Sequence, residues 1–189
     1  MLFRSHSKTT FHRAVALGAQ IARLLDPSHD ARGTVRAILR EDSKAVGAPC
    51  KEPAGAVAER DLVVTYSYYG GGKGRWEGRS LQNREGYQGE WGEETGDLWL
   101  NQQVYLRHVP RAVWEYELGG YPVVKKWLGY RDAKRRGGQG LSLGELDELR
   151  GIVQRIAALL LLRPQLDKVY EDASADAFSA EELGVRAKR

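Results

Sequence analysis

The chain has 189 residues, enough for one domain that buries roughly two-thirds of its unfolded surface. Hydrophobic residues make up 42% and charged residues 29%, with Lys+Arg 29 against Asp+Glu 25 and a net charge of +4, which excludes an acidic solvating tail and a collagen-like or mucin-like chain. The lone cysteine, Cys50, excludes a disulfide scaffold and a multi-cysteine zinc site, and the longest apolar run, residues 156–162, is too short to span a membrane. The first residues lack the apolar core of a signal peptide, so the expectation is a cytoplasmic protein.

Thr10 to Leu25 reads as helix, because Ala14, Leu17, Ile21, Leu24 and Leu25 recur at helical spacing and Asp26-Pro27 stops the run. A short helix follows at Thr34–Arg40, then a loop or junction rich in Pro, Gly and Ala at 47–56. Leu62–Tyr68 alternates β-branched and aromatic residues, which predicts a strand with one wet face. Residues 70–74 form a Gly-rich flexible loop, and 80–97 a long loop or irregular hairpin. Further strands are expected at Leu98–Asn101, Val104–His108 and Val113–Leu118. Gly119-Gly120 breaks the chain, and Pro122 opens a helix whose apolar stripe is Val123, Val124, Trp127 and Leu128, with Lys125 and Lys126 facing away. Ser142-Leu143-Gly144-Glu145 is a capping box for the clearest helix, in which Leu146, Leu149, Val153, Ile156 and Leu160 repeat at intervals of three or four. Arg163-Pro164 is expected to close it, with a further turn or two at 165–172 and a frayed tail at 176–189. The class is α+β: a small, mostly antiparallel sheet in the middle of the chain, packed by N-terminal and C-terminal helices in one domain over 1–175.

The net charge hides three basic islands: +5 over residues 1–40, +3 over 70–84 and +5 over 121–140. The last two are interleaved with Gly, Tyr and Trp, the composition of a polyanion-binding surface; the bland alternative is a solvated face. Trp114, Tyr121 and Trp127 are expected to pack in the core. Lys125 and Lys126 either contact phosphates or line a solvated face.

Catalytic patterns are sparse. Gly72-Lys73 looks like the end of a phosphate-binding loop, but Gly74 stands where Ser or Thr is needed, and Ser67 where the first glycine belongs. His6, His12, His29 and His108 are scattered without metal-ligand spacing. Asp42-x-Lys44 is a two-residue fragment of a metal-nuclease pattern, and Cys50 reads as an unremarkable free thiol rather than a nucleophile. The chain is therefore not expected to be an enzyme on its own.

The run VWEYELGGYPVVKKWLGYR (113–131) resembles a segment of the C-terminal specificity domain of Type ISP restriction-modification enzymes. GDLWLNQQVYLRHVP (96–110) is similar to that family's strand, Asn turn and strand, and residues 141–170 to its following helix, so that 96–170 is the best-matched part. HRAVALGAQIARLLDP (12–27) and RDLVVTYSYYG (60–70) are weaker likenesses. In the family this domain follows a nuclease, a helicase-like motor and an adenine amino-methyltransferase. The methyltransferase Asn/Asp-Pro-Pro-Tyr motif and the Gly-rich cofactor motif do not occur in these residues. The resemblance thus implies a target-recognition domain that directs adenine methylation and cleavage carried out elsewhere. No cofactor is expected in this chain; S-adenosylmethionine, Mg and ATP belong to the missing catalytic domains. The chain is read as a detached specificity domain, a truncated reading frame, or a subunit beside a separate methyltransferase/restriction polypeptide. The alternative is a non-catalytic remnant that packs on a methyltransferase through the apolar stripe of 146–160.

The implied partner is double-stranded DNA, with no membrane. Candidate contacts are Lys73, Arg75, Arg79, Asn83, Arg84, Arg107, Lys125, Lys126, Arg131, Lys134, Arg135 and Arg136. Within them, Lys125 and Lys126 suit phosphates. Arg75, Arg79, Gln82, Asn83 and Arg84, in a flexible loop, suit base edges, since Arg reads guanine and Asn or Gln reads adenine.

Overall fold

The structure, a computed structural model, describes residues 8–26, 28–39, 46–66, 74–78 and 95–175. Two helices, α1 (Lys8–Leu25) and α2 (Arg32–Leu39), open the chain. Four strands follow, β1 (Ala48–Lys51), β2 (Arg75–Gly78), β3 (Thr95–Trp99) and β4 (Val104–Pro110). Then come a single helical turn, α3 (Arg111–Trp114), a minimal hairpin of β5 (Glu117–Leu118) and β6 (Tyr121–Pro122), and two helices, α4 (Val123–Tyr130) and α5 (Leu143–Ala175). The expected α+β class holds: an antiparallel sheet of order β1-β4-β3-β2 sits mid-chain, and helices from both ends pack around it.

The long helix α5 organises the packing. It contacts α1, α2, α3, α4 and β4. Its start is the capping box read from the sequence: Glu145 N–H donates to Ser142 Oγ at 3.1 Å, and Ser142 N–H to Glu145 Oε2 at 2.9 Å. Arg155 from α5 ties down the α1–α2 turn by donating to the carbonyls of Leu24, Asp26 and His29 at 2.9–3.2 Å. The stripe Leu146, Leu149, Val153 and Ile156 is at most 5% exposed. The chain's own core therefore covers the surface that the interaction-module reading would offer to a methyltransferase.

Pro164 does not end this helix, contrary to expectation; α5 runs on to Ala175. A proline removes one helical hydrogen bond. Beyond it, however, Val169 and Ala173 are buried, α1 packs along α5, and Asp172 pairs with Arg13 of α1 at 3.4 Å. Tertiary burial outweighs the local break.

Three strand assignments also change. The predicted strand at Leu62–Tyr68 does not join the sheet over its described part. Leu62 and Val64 are fully buried, as the alternation implies, but their carbonyls accept from Leu141 N and Ala133 N at 2.9 Å, in the turn and loop between α4 and α5. Val113–Leu118 splits into α3 and the two-residue β5, with the α3 terminus closed by Glu115 N–H to Arg111 O at 2.9 Å. The junction at 47–56 contains β1, so Cys50 lies in a strand opposite Tyr105 and not in a loop.

The β3–β4 turn follows the Asn-turn reading. Asn101 Oδ1 accepts from the N–H groups of Gln103 and Val104 at 2.8 and 2.9 Å, and its Nδ2 donates to Asp61 O and Val63 O at 2.8 Å. The ladder slips between Gly96 and Leu98, and His108 opposite takes a left-handed φ of 56°, the geometry of a bulge. Among the described residues no helix is long and apolar enough to cross a membrane.

Candidate nucleic-acid interface

The basic islands at 70–84 and 121–140 meet at one buried indole, Trp114 of α3. On the β2 side, Gly74 has φ +65°, and a Cβ there would overlap Cζ2 and Cη2 of Trp114. Only glycine allows the chain to enter β2 this close to the ring. On the α4 side, Lys125 Nζ lies 5.0 Å from the centroid of the same ring. The residue after Gly74 is Arg75, so the backbone that leads into Arg75 and the ammonium group of Lys125 lie against the same ring.

Arg75 sits in a strand, not in the flexible loop expected for it. Strand β2 is fixed by Trp76, whose Nε1 donates to Val109 O at 2.9 Å and whose ring, with the Glu77 carbonyl, fills the space a Cβ on Gly96 would need. The Arg75 guanidinium carbon lies 5.3 Å from the Tyr66 ring centroid and 5.0 Å from that of Trp99. Its Nε donates to Glu77 Oε1 at 2.6 Å, and its Nη1 to Tyr66 Oη at 3.3 Å. These bonds, the one to Glu77 foremost, hold the Arg75 pKa above its usual value. Trp99 in turn packs on Tyr105 with ring centroids 4.5 Å apart.

In the second island each aromatic residue carries a cation. Helix α4 buries Val124, Trp127 and Leu128, which leaves Lys125 and Lys126 half-buried at its edge. Lys126 Nζ is 4.6 Å from the Tyr121 ring, and the Arg135 guanidinium is 5.9 Å from the Tyr130 ring. The hydroxyls of Tyr121 and Tyr130 share a hydrogen bond of 2.7 Å, which raises the Tyr121 pKa and joins the β5–β6 hairpin to the end of α4. Tyr121 is 47% exposed, against the core position expected for it, whereas Trp114 and Trp127 are 7% and 9% exposed as expected. Such stacking restrains the long stems of Lys and Arg while leaving their charged ends near water.

Arg131 and Arg136 differ from their neighbours. Arg131 stacks on Trp127 at 3.8 Å and pairs with Glu145 at 3.2 Å and Glu148 at 3.3 Å; Arg136 pairs with Glu145 at 3.1 Å. Glu148 also accepts from Trp127 Nε1 at 3.0 Å. The Glu145 carboxyl is held below its usual range, first by the Ser142 N–H and then by Arg136 and Arg131. These two arginines therefore already have carboxylate partners and fasten the 131–138 turn to α5. Lys134 and Arg135 are exposed on that turn, which the buried Asp132 shapes by accepting from Lys134 N at 2.9 Å. Arg107 lies elsewhere, half-buried in β4 opposite Ala48.

Lys73, Arg79, Gln82, Asn83 and Arg84 lie outside the described residues, as do Asp42, Lys44 and the 176–189 tail. Sequence reasoning missed the aromatic cradle of Tyr66 and Trp99 and the positioning role of Glu77. The signal was present in Arg75-Trp76-Glu77, where alternation along a strand puts Arg75 and Glu77 on one face.

No curated protein and no solved structure matches the chain. The family description that does match is the Type ISP C-terminal specificity domain, over residues 5–143, which takes in α1 to α4 and stops at the first residue of α5. The helix that entered the sequence resemblance at 141–170 thus lies almost wholly beyond the matched part, and the weaker N-terminal likeness lies inside it. A match of this extent, over the elements that carry both described islands, places the chain in the family of Type ISP C-terminal specificity domains.

Proposed function

We propose that this chain recognises a target sequence in duplex DNA for a restriction-modification system, while methyl transfer and cleavage are carried out by other domains or chains. The observation that carries the reading is the convergence of two basic islands on Trp114, with their cations seated on aromatic rings. Membership of a specificity-domain family supports it. Lys125, Lys126, Lys134 and Arg135 position the duplex by its phosphates. Arg75, with the island residues that follow it, addresses base edges. Arg131 and Arg136 act indirectly, by holding the basic turn against α5. S-adenosylmethionine, Mg and ATP serve the catalytic partners, and the setting is the cytoplasm.

The test is equilibrium binding of the full chain to a duplex of mixed sequence at increasing salt. Contact with about 4–6 phosphates gives a log–log slope near −4 to −5. A flat salt response, or no binding at low salt, refutes the proposal.

A further inference from the structure

We infer that Arg75 is a specificity-determining residue that reads a guanine in the major groove through its terminal nitrogens; this rests on the DNA-recognition reading above and names the base behind it. A guanidinium has five N–H donors in a fixed plane. In Arg75 the Nε donor is taken by Glu77 and one Nη1 donor by Tyr66 Oη. Among the described residues, both hydrogens on Nη2 and one on Nη1 remain without an acceptor. Two neighbouring donors of that kind match the paired acceptors O6 and N7 of guanine. The side chain is 43% exposed, so the group is reachable, yet rings on Tyr66 and Trp99 limit its rotation. A pre-set planar fork loses less freedom on binding than a mobile one.

The same geometry argues against a phosphate as the ligand of Arg75. The Glu77 carboxylate lies 2.6 Å from Nε and brings the pair close to neutral, which weakens attraction for an anion and adds repulsion. Lys125, seated over the uncharged Trp114 ring, is the better phosphate partner. A neutral base edge suits a donor fork beside a carboxylate, because the pair presents both signs in fixed order. Cytosine, paired to the guanine, offers an N4–H donor that a carboxylate such as Glu77 accepts.

The experiment selects bound duplexes from a randomised library with the full-length wild-type chain and with Arg75→Lys, which keeps the charge and loses the fork. The wild type enriches a motif with a fixed guanine, and Arg75→Lys relaxes that position alone. Affinity for the selected duplex falls roughly 10–100-fold in the variant, and affinity for a scrambled duplex stays within about threefold. A second arm needs no variant to fold: replacing that guanine by 7-deazaguanine, which removes N7, weakens binding by the wild type. A motif without guanine, a motif unchanged in Arg75→Lys, or wild-type binding untouched by 7-deazaguanine overturns the role of Arg75 and leaves DNA recognition standing. A wild-type chain that enriches nothing and shows no salt-dependent binding overturns both.

Discussion

Replacing Lys125 and Lys126 together by alanine isolates the phosphate contribution proposed for α4. Both residues sit at the edge of a helix whose buried side is Val124, Trp127 and Leu128, so the core is left intact. Alanine is also the best helix former, and the supporting rings of Trp114 and Tyr121 remain in place. Two lost phosphate contacts reduce the log–log salt slope by about 1.8, at about 0.9 per contact on duplex DNA. Between 50 and 200 mM salt a wild-type slope of −4 to −5 means a loss of roughly 250- to 1000-fold, and the double variant loses only about 20- to 90-fold. The gap between the two proteins thus narrows about tenfold across that range. The selected and scrambled duplexes should be affected alike, because an ammonium group is a point charge that does not discriminate base edges. Fluorescence anisotropy on both duplexes at four or five salt concentrations measures all of this. A slope change under about 0.5, or a changed preference between the duplexes, refutes the assignment.

Two further outcomes test the supports under the site. Gly74→Ala places a side chain at φ +65° and drives its Cβ into the Trp114 ring; a left-handed residue costs about 1–2 kcal/mol and overpacking about 1–3 kcal/mol, so thermal melting should fall by roughly 5–15 °C. A melting temperature within a degree of the wild type would show that Trp114 does not lock the two islands. Glu145→Gln removes the charge that unites the α5 cap with Arg131 and Arg136, and should destabilise by about 1–2 kcal/mol at neutral pH. The folded carboxyl titrates below the unfolded one, so its stabilisation is present above the unfolded pKa and is lost as pH falls through the lowered value. Denaturant midpoints of the two proteins should therefore converge as pH falls from the unfolded Glu value of about 4.3 through the lowered folded value, and a gap that stays constant down to pH 2 contradicts the linkage.

The helices were legible because each signal was local. The Ser142–Glu145 box and the spacing of Leu146, Leu149, Val153 and Ile156 fix the start and face of α5 without reference to anything distant. Pro164 misled for the complementary reason: the break is local, but the burial that overrides it comes from α1, which lies far away in sequence. Strands suffered more. Leu62 and Val64 have the right alternation and the right burial, yet their hydrogen-bond partners are Leu141 and Ala133, which no pattern in 62–68 announces. In the reverse sense, β1 holds Pro49 and follows Gly47, so its composition reads as a junction, and only pairing with Val104–Arg107 makes it a strand.

The site was legible in charge and not in form. The sequence shows where Lys and Arg are dense, but density does not say which cations are already matched. Arg131 and Arg136 belong to the same island as Lys125 and Lys126, and only the fold brings Glu145 and Glu148 against them. Nor does composition reveal what the aromatic residues between the cations do. Trp114 is buried, as a large apolar residue should be, and this suffices for a core role. Its second use appears only when Gly74 and Lys125 are found on the same ring. A flexible basic loop would lose affinity to the entropy of ordering long side chains against DNA. Cations seated on Tyr66, Trp99, Trp114 and Tyr121 have lost part of that freedom on folding, so the core that stabilises the sheet and α4 also prepares the surface proposed to meet the duplex.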